Sequence, residues 1–262
     1  MATAPNNRLP RIMSVTEKSW ITPHMIRVTC HAPWIKELPA GIEGAHFKIF
    51  MPKPAQPDAE FARQLQEGPR PDVRTYTIRY VRPEQGEIDI DFVDHGDAGP
   101  ASAWARRCVA GDIAAFAGPG PVKLADYYGD TYVIAADMSA LPVAAATLEA
   151  MPRDAVGVAY LAVTSRDDQQ AINAPAGVDV QWIVHPDPHE PAQQAVAKIK
   201  ELPELTGVVQ TCIAGESTMI KELRAEIINR RGVPKNDAYI SGYWKIGLIE
   251  DEHQQVKRAE GD

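Results

Sequence analysis

The chain has 262 residues, 45% of them hydrophobic and 24% charged, with a formal net charge of −8. At roughly 150 residues per domain this suits two modest domains or one large one, and the ordinary globular composition excludes disorder of the chain as a whole. The acidic balance excludes broad nucleic-acid binding, which needs a basic face. No apolar run reaches membrane length and Met1–Arg11 has no apolar signal core, so a cytoplasmic protein without a membrane segment is expected.

The first half reads as short alternating or β-branched runs: Met25–Cys30, His46–Met51, Thr75–Val81 and Glu87–Val93. Regular spacing with turn residues between predicts an antiparallel sheet or barrel, with a hairpin turn at Glu84-Gln85-Gly86. Pro52–Pro71 is a proline-flanked insertion whose FARQL centre suits a short helix in an otherwise loop-like stretch. From Asp130 the rhythm changes. Strands are predicted at Thr131–Ala136, Val156–Val163, Val178–Val184 and Val208–Ala214, and helices at Ala140–Met151, Pro191–Glu201 and Glu216–Arg231, the last with Gly232 suited to its C-terminal cap. Such alternation predicts a parallel sheet covered by helices. The expected division is residues 1–125, a β-barrel; 126–249, an α/β domain; and 250–262, a charged tail. Charge is divided unevenly, net +1 over residues 1–125 and −9 over the rest. An anionic ligand therefore suits the first half or the boundary better than the second half.

Cys30, Cys108 and Cys212 are odd in number, far apart and in no C-x-x-C pair, so buried free thiols are expected rather than disulfides or an iron–sulfur site. Redox chemistry would have to come from a bound cofactor. His185 and His189 have metal-like spacing, but Pro186 and Pro188 bar the helix that would align them, and no zinc site is expected.

Two segments carry chemistry. In Arg74-Thr75-Tyr76-Thr77 strand alternation puts Arg74 and Tyr76 on one face, a cation and an aromatic suited to a phosphate and a flat ring. Asp91 to Ala105 runs from a strand through a glycine loop with His95 and Gly99 into a helix that opens on Pro100. The free N–H groups of that start and the Ser102 hydroxyl suit a pyrophosphate. Each segment also has a plain reading, an exposed arginine with a cross-strand tyrosine, and a loop with a helix cap. Trp104 reads as helix packing.

Together with Asp89 to Ala105, Gly111-Asp112, Ala117-Gly118-Pro119, Ala214-Gly215-Glu216 and Ser241-Gly242-Tyr243-Trp244-Lys245-Ile246-Gly247, these segments resemble the siderophore-interacting protein family of flavin-dependent ferric-siderophore reductases. The resemblance spans residues from about 10 to 248. It implies a two-domain, ferredoxin-reductase-like fold, with FAD on an N-terminal antiparallel barrel and NADH or NADPH on a parallel-sheet domain. By the same resemblance Arg74 meets the FAD pyrophosphate, Tyr76 and Thr77, with Thr75 beside them, lie against the isoalloxazine, and Asp91, Phe92 and Val93 line the flavin. His95, Gly99, Ala101 and Ser102 hold the ribityl–phosphate–adenine side. Where many members read G-D-E-[ST]-A-L-P, this chain reads Ala136-Asp137-Met138-Ser139-Ala140-Leu141-Pro142, and it has no G-x-G-x-x-G fingerprint. Asp137, Ser139 and Glu216 are the nicotinamide candidates, and Tyr243 and Trp244 are candidates to cover one end of the flavin.

Ferric siderophores are often anionic, so a local basic pocket must oppose the global charge. Lys48 and Lys245 match family positions associated with that pocket; Lys123, at the domain junction, and Arg79 are further candidates. The implied activity is hydride transfer from NAD(P)H to FAD and single-electron transfer to siderophore-bound Fe(III), which weakens its oxygen chelation. No protein metal ligand or acid–base residue is required. The alternatives are a ferredoxin- or flavodoxin-type reductase with a protein electron partner, and a non-enzymatic siderophore-binding protein. A monomer is expected.

Overall fold

The computed structural model describes residues 9–97 and 99–248; the expected charged tail, 250–262, lies outside them. The chain divides into two compact units, Met1–Pro121 and Val122–Asp262.

The first unit is a seven-stranded antiparallel sheet in the order β4-β3-β7-β1-β2-β6-β5. Its strands are β1 (Arg11–Thr22), β2 (Met25–His31), β3 (His46–Met51), β4 (Asp72–Thr77), β5 (Tyr80–Arg82), β6 (Glu87–Val93) and β7 (Ile113–Ala117). The run Thr75–Val81, expected as one strand, is two. The Ile78 N–H donates to the Ala45 carbonyl on the β3 side, and the Arg79 N–H donates to the Asp89 carbonyl on β6. At that step the chain changes partner from one end of the sheet to the other, which curls the sheet into a barrel-like form. The Pro52–Pro71 insertion holds α1 (Asp58–Glu67). Phe61, wholly buried, pins this helix to Phe50 and Ala115, and the burial of that ring offsets the ordering of the segment. The glycine loop after β6 leads into α2 (Pro100–Arg107), whose inner face carries Ala101, Ser102, Trp104 and Ala105.

The second unit is a five-stranded parallel sheet, order β10-β9-β8-β11-β12. The strands are β8 (Thr131–Ala136), β9 (Val156–Val163), β10 (Gly177–Val184), β11 (Val209–Glu216) and β12 (Ala238–Trp244). The helices are α3 (Leu141–Ala150), α4 (Gln193–Lys200) and α5 (Ser217–Arg224). β11 is buried along its whole length, as expected of a central parallel strand. The sequence reads Glu216–Arg231 as one helix, but α5 passes into a π-helical turn at Ala225–Arg230. The wider turn lets the Arg231 N–H reach the Glu226 carbonyl and the Arg231 guanidinium reach both the Glu226 carboxylate and the carbonyls of Ile199, Leu202 and Pro203. β8 is central: the chain runs outward through β9 and β10, then returns to β11 on the other side. The strand order therefore reverses between β8 and β11, and in open parallel sheets ligands enter the crevice beyond the carboxyl ends of such strands.

Cys30, Cys108 and Cys212 are free and buried, and no helix among the described residues is long and apolar enough to cross a membrane.

Candidate functional site

In the first unit three aromatic rings join the expected flavin elements. Tyr76 on β4 lies 4.4 Å from Phe92 on β6, and Phe92 lies 5.7 Å from Trp104 on α2, both tilted contacts. Phe92 and Trp104 are buried, so Tyr76, half-buried, is the ring at the outer end. The sequence expects Phe92 to line the flavin. Its side chain is buried and backs Tyr76. Arg74 is half-buried on the same strand as Tyr76 and donates to the Val73 carbonyl. Lys48 on β3, opposite Thr75 in register, donates to the Thr75 hydroxyl, which draws these two expected site residues together. Thr77 is buried and Val93 half-buried.

The glycine loop is built around Asp94, which the sequence reading missed. The Ser102 hydroxyl, with none of its residue's surface exposed, accepts from the His95 N–H and donates to Asp94 Oδ1, both at 3.2 Å. Arg106 reaches Asp94 at 2.8 Å. Ser102, expected to meet a pyrophosphate through its hydroxyl, thus ties down the loop; Ala101 is also buried, and His95 is exposed. The twelve-residue separation of Asp94 and Arg106 leaves no local signal. Burial alone would raise the Asp94 carboxyl, but the Gly96 N–H, the Arg106 guanidinium and the Ser102 hydroxyl outweigh it and hold the group below its usual value. Gly99, the N-cap of α2, has no side-chain cap, and a Cβ there would lie 2.8 Å from His95 Cε1. A helix start without a side-chain cap is suited to an anionic oxygen. Arg74, Tyr76 and this helix start fit the phosphate and ring of FAD.

Two expected site residues have their charges held inside the unit. Asp91, expected to line the flavin, is buried, holds Arg27 through two hydrogen bonds of 2.7 and 2.8 Å and lies 3.9 Å from Arg79. Arg79, expected at a substrate pocket, is 2% exposed and lies 4.0 Å from the Tyr80 ring centroid. Its charge faces inward because the step from β4 to β5 turns it toward β6.

In the second unit Asp137, Ser139, Glu216 and Trp244 come together at the carboxyl ends of β8, β11 and β12. Asp137 Oδ1 accepts from Ser139 and from the Ala140 N–H; Oδ2 accepts from the Glu216 N–H and the Trp244 indole N–H, both at 2.8 Å. Burial raises the Asp137 carboxyl, against these hydrogen bonds. Glu216, also buried, caps α5 by accepting from the N–H groups of Thr218 and Met219. Both carboxylates, read from sequence as nucleotide contacts, therefore serve the sheet ends themselves. Trp244, expected over the flavin, has its indole tied to Asp137. The Tyr243 hydroxyl lies 3.0 Å from that of Tyr239. Lys245 is half-buried and Lys123 exposed. Two glycines in the recognised motifs acquire reasons: a Cβ at Gly215 would lie 2.6 Å from Asp137 Oδ2, and one at Gly242 would lie 2.6 Å from Ser217 Oγ.

Residues 14–123 match the model of the siderophore-interacting FAD-binding domain and residues 129–247 that of the siderophore-interacting protein. The crystal structure of the siderophore-interacting protein SipS from Aeromonas hydrophila is 33% identical, superposes with a TM-score of 0.84, and is matched over 97% of this chain and 98% of that one. The chain belongs to the siderophore-interacting protein family. The ferric vibriobactin reductase ViuB of Vibrio cholerae is 28% identical over 257 residues, 95% of this chain and 94% of ViuB. The ferredoxin reductase of carbazole 1,9a-dioxygenase, 17% identical, shares the fold with a TM-score of 0.64 over 89% of this chain and 67% of that one. This siderophore-interacting protein thus has the ferredoxin-reductase-like fold, with a barrel-like antiparallel FAD-binding domain and a parallel-sheet domain, and it is an oxidoreductase homologue.

Proposed function

We propose that this protein is a flavin-dependent reductase that takes electrons from a reduced nicotinamide and delivers them to Fe(III) held by a siderophore, releasing Fe(II). The observation that carries the reading is the Tyr76–Phe92–Trp104 ring series, which links β4, the strand that carries Arg74, to α2. The relationship to ViuB, whose name states ferric vibriobactin as its substrate, supports the substrate class. FAD supplies the conversion between two-electron and one-electron chemistry.

This chain's residues bind and orient. Arg74 and the first turn of α2 neutralise the pyrophosphate, with the loop held in shape by Ser102 and Asp94. Tyr76 supplies a flat wall that Phe92 backs. Lys48 on the first unit, and Lys245 and Lys123 on the second, are each candidate cations for an anionic chelate. The crevice where the strand order reverses is the place for the nicotinamide nucleotide, which would meet the backbone and rim there, since Asp137 and Glu216 are engaged.

The test is an absorbance spectrum of the purified protein, followed anaerobically by NADH or NADPH and then by a ferric siderophore with a ferrous trap. Loss of the oxidised-flavin band, then its return with trapped Fe(II), is expected. A flavin that neither nicotinamide reduces but reduced ferredoxin does would replace the donor with a protein. A colourless protein that FAD cannot reconstitute would overturn the reading.

A further inference from the structure

Around Lys245 the backbone is tied down on both sides. The Trp244 carbonyl accepts from the Ser217 hydroxyl at 2.9 Å, and the Ile246 N–H points at Glu216 Oε1 at 3.4 Å. The Trp244 indole is held by Asp137 Oδ2, the same oxygen that accepts the Glu216 N–H. One carboxylate oxygen at the end of β8 thus joins the ends of β11 and β12, and the residues it reaches are Trp244, beside Lys245, and Glu216, which faces Ile246. The other oxygen has a separate task, closing the local turn through Ser139 and the Ala140 N–H. The approach is close enough that Gly215 has no room for a Cβ, as given above, and its φ of +147° lies where side chains are rarely found. A half-buried lysine on an unrestrained segment would lose rotamer and backbone freedom whenever it met an anion. A lysine whose neighbours are already fixed loses less.

We infer that Asp137 is a positioning residue for substrate: through Trp244 it fixes the segment that carries Lys245 and so sets the affinity for an anionic ferric chelate, without touching the chelate. The inference rests on the proposed function, in which Lys245 contacts that substrate. It assigns the two Asp137 oxygens different duties, which a substitution can separate. Asp137→Asn retains an amide oxygen for the local turn and presents an NH2 group to two N–H donors, so it breaks the link to Trp244. Trp244→Phe removes the indole donor from the other side.

The experiment uses the FAD-loaded full chain as wild type, Asp137→Asn, Trp244→Phe and the double variant. The readouts are KM and kcat for a tris-catecholate Fe(III) complex at saturating NAD(P)H, its Kd by fluorescence quenching, the rate of flavin reduction by dithionite, which needs no nucleotide site, and the indole N–H resonances in a ¹⁵N correlation spectrum. Five tryptophans give five such signals, and Trp244→Phe identifies one. The expected result is a KM and Kd raised about tenfold in Asp137→Asn, the scale of one hydrogen bond to a charged group, with flavin reduction within about twofold. The Trp244 indole signal shifts, and the double variant matches Trp244→Phe alone. Should Asp137→Asn not fold, Trp244→Phe must by itself raise KM and Kd while leaving flavin reduction intact. An active Asp137→Asn enzyme with unchanged KM and Kd, or effects that simply add in the double variant, overturns the inference alone. A wild type that neither binds nor reduces the chelate overturns the proposed function and the inference with it, whereas the indole shift still reports whether Asp137 holds Trp244.

Discussion

Asp91 sits between two arginines, Arg27 at 2.7 Å and Arg79 at 3.9 Å, and all but 1% of its side chain is buried. Removing one member of a buried charge group strands the others, a larger loss than the group's own contribution. Asp91→Ala is expected to destabilise the protein by about 3–5 kcal/mol, read from urea denaturation. A change under about 1 kcal/mol would show that solvent already screens the group. Gly157 on β9 makes a different demand, for space: a Cβ there would lie 2.1 Å from the Tyr132 carbonyl oxygen. The obstacle is backbone of the neighbouring strand and cannot rotate away. Gly157→Ala is expected to lose about 1–3 kcal/mol or more in the same measurement. Both positions show why the sequence is only partly legible at this scale. A recognised motif marks Asp91 as important, yet its partner Arg27 lies sixty-four residues away and on another strand, and no local pattern distinguishes a buried anion from one that faces a ligand.

The glycine loop and α2 form an element whose order depends on ionisation. The Asp94 carboxyl is held below its usual value, so the folded state keeps it ionised where the unfolded chain begins to take up a proton. Its contribution to stability is therefore complete above about pH 5, an Asp in the unfolded chain titrating near 3.9, and is lost as pH falls through the lower folded value. Thermal melts of wild type and Asp94→Asn between pH 7 and roughly pH 3 are expected to converge at the acid end. Parallel curves would assign the shift elsewhere. The start of α2 is readable from Gly99-Pro100, and the strand–helix rhythm of the second unit from its apolar periodicity, because both are local signals. The break between β4 and β5 is not readable: Ile78-Arg79 continues a β-prone run, and what divides it is a change of hydrogen-bond partner from β3 to β6. The π-helical turn is equally silent, since the contacts that accompany it run from Arg231 to four carbonyls of another segment.

For the molecule as a whole, a net charge of −8 repels any anionic ligand at long range, so the proposed function requires local cations to prevail at short range. Lys48→Ala with Lys245→Ala is expected to raise KM for a tris-catecholate Fe(III) complex more than about tenfold and for a neutral tris-hydroxamate complex less than about twofold. Equal losses on both would make the lysines structural. The three cysteines give the two units separate reporters. Cys30 and Cys108 lie in the first unit and Cys212 in the second, all buried. Burial raises all three thiols, Cys108 and Cys212 to about 11, which leaves almost no thiolate at neutral pH. A native sample mixed with an aromatic disulfide reagent is expected to stay unlabelled. Under rising urea, two equivalents reacting apart from the third would show the units melting independently, and three reacting together would show one cooperative transition. The chain thus keeps its own sulfur chemistry silent until it unfolds, and then counts aloud which half has opened.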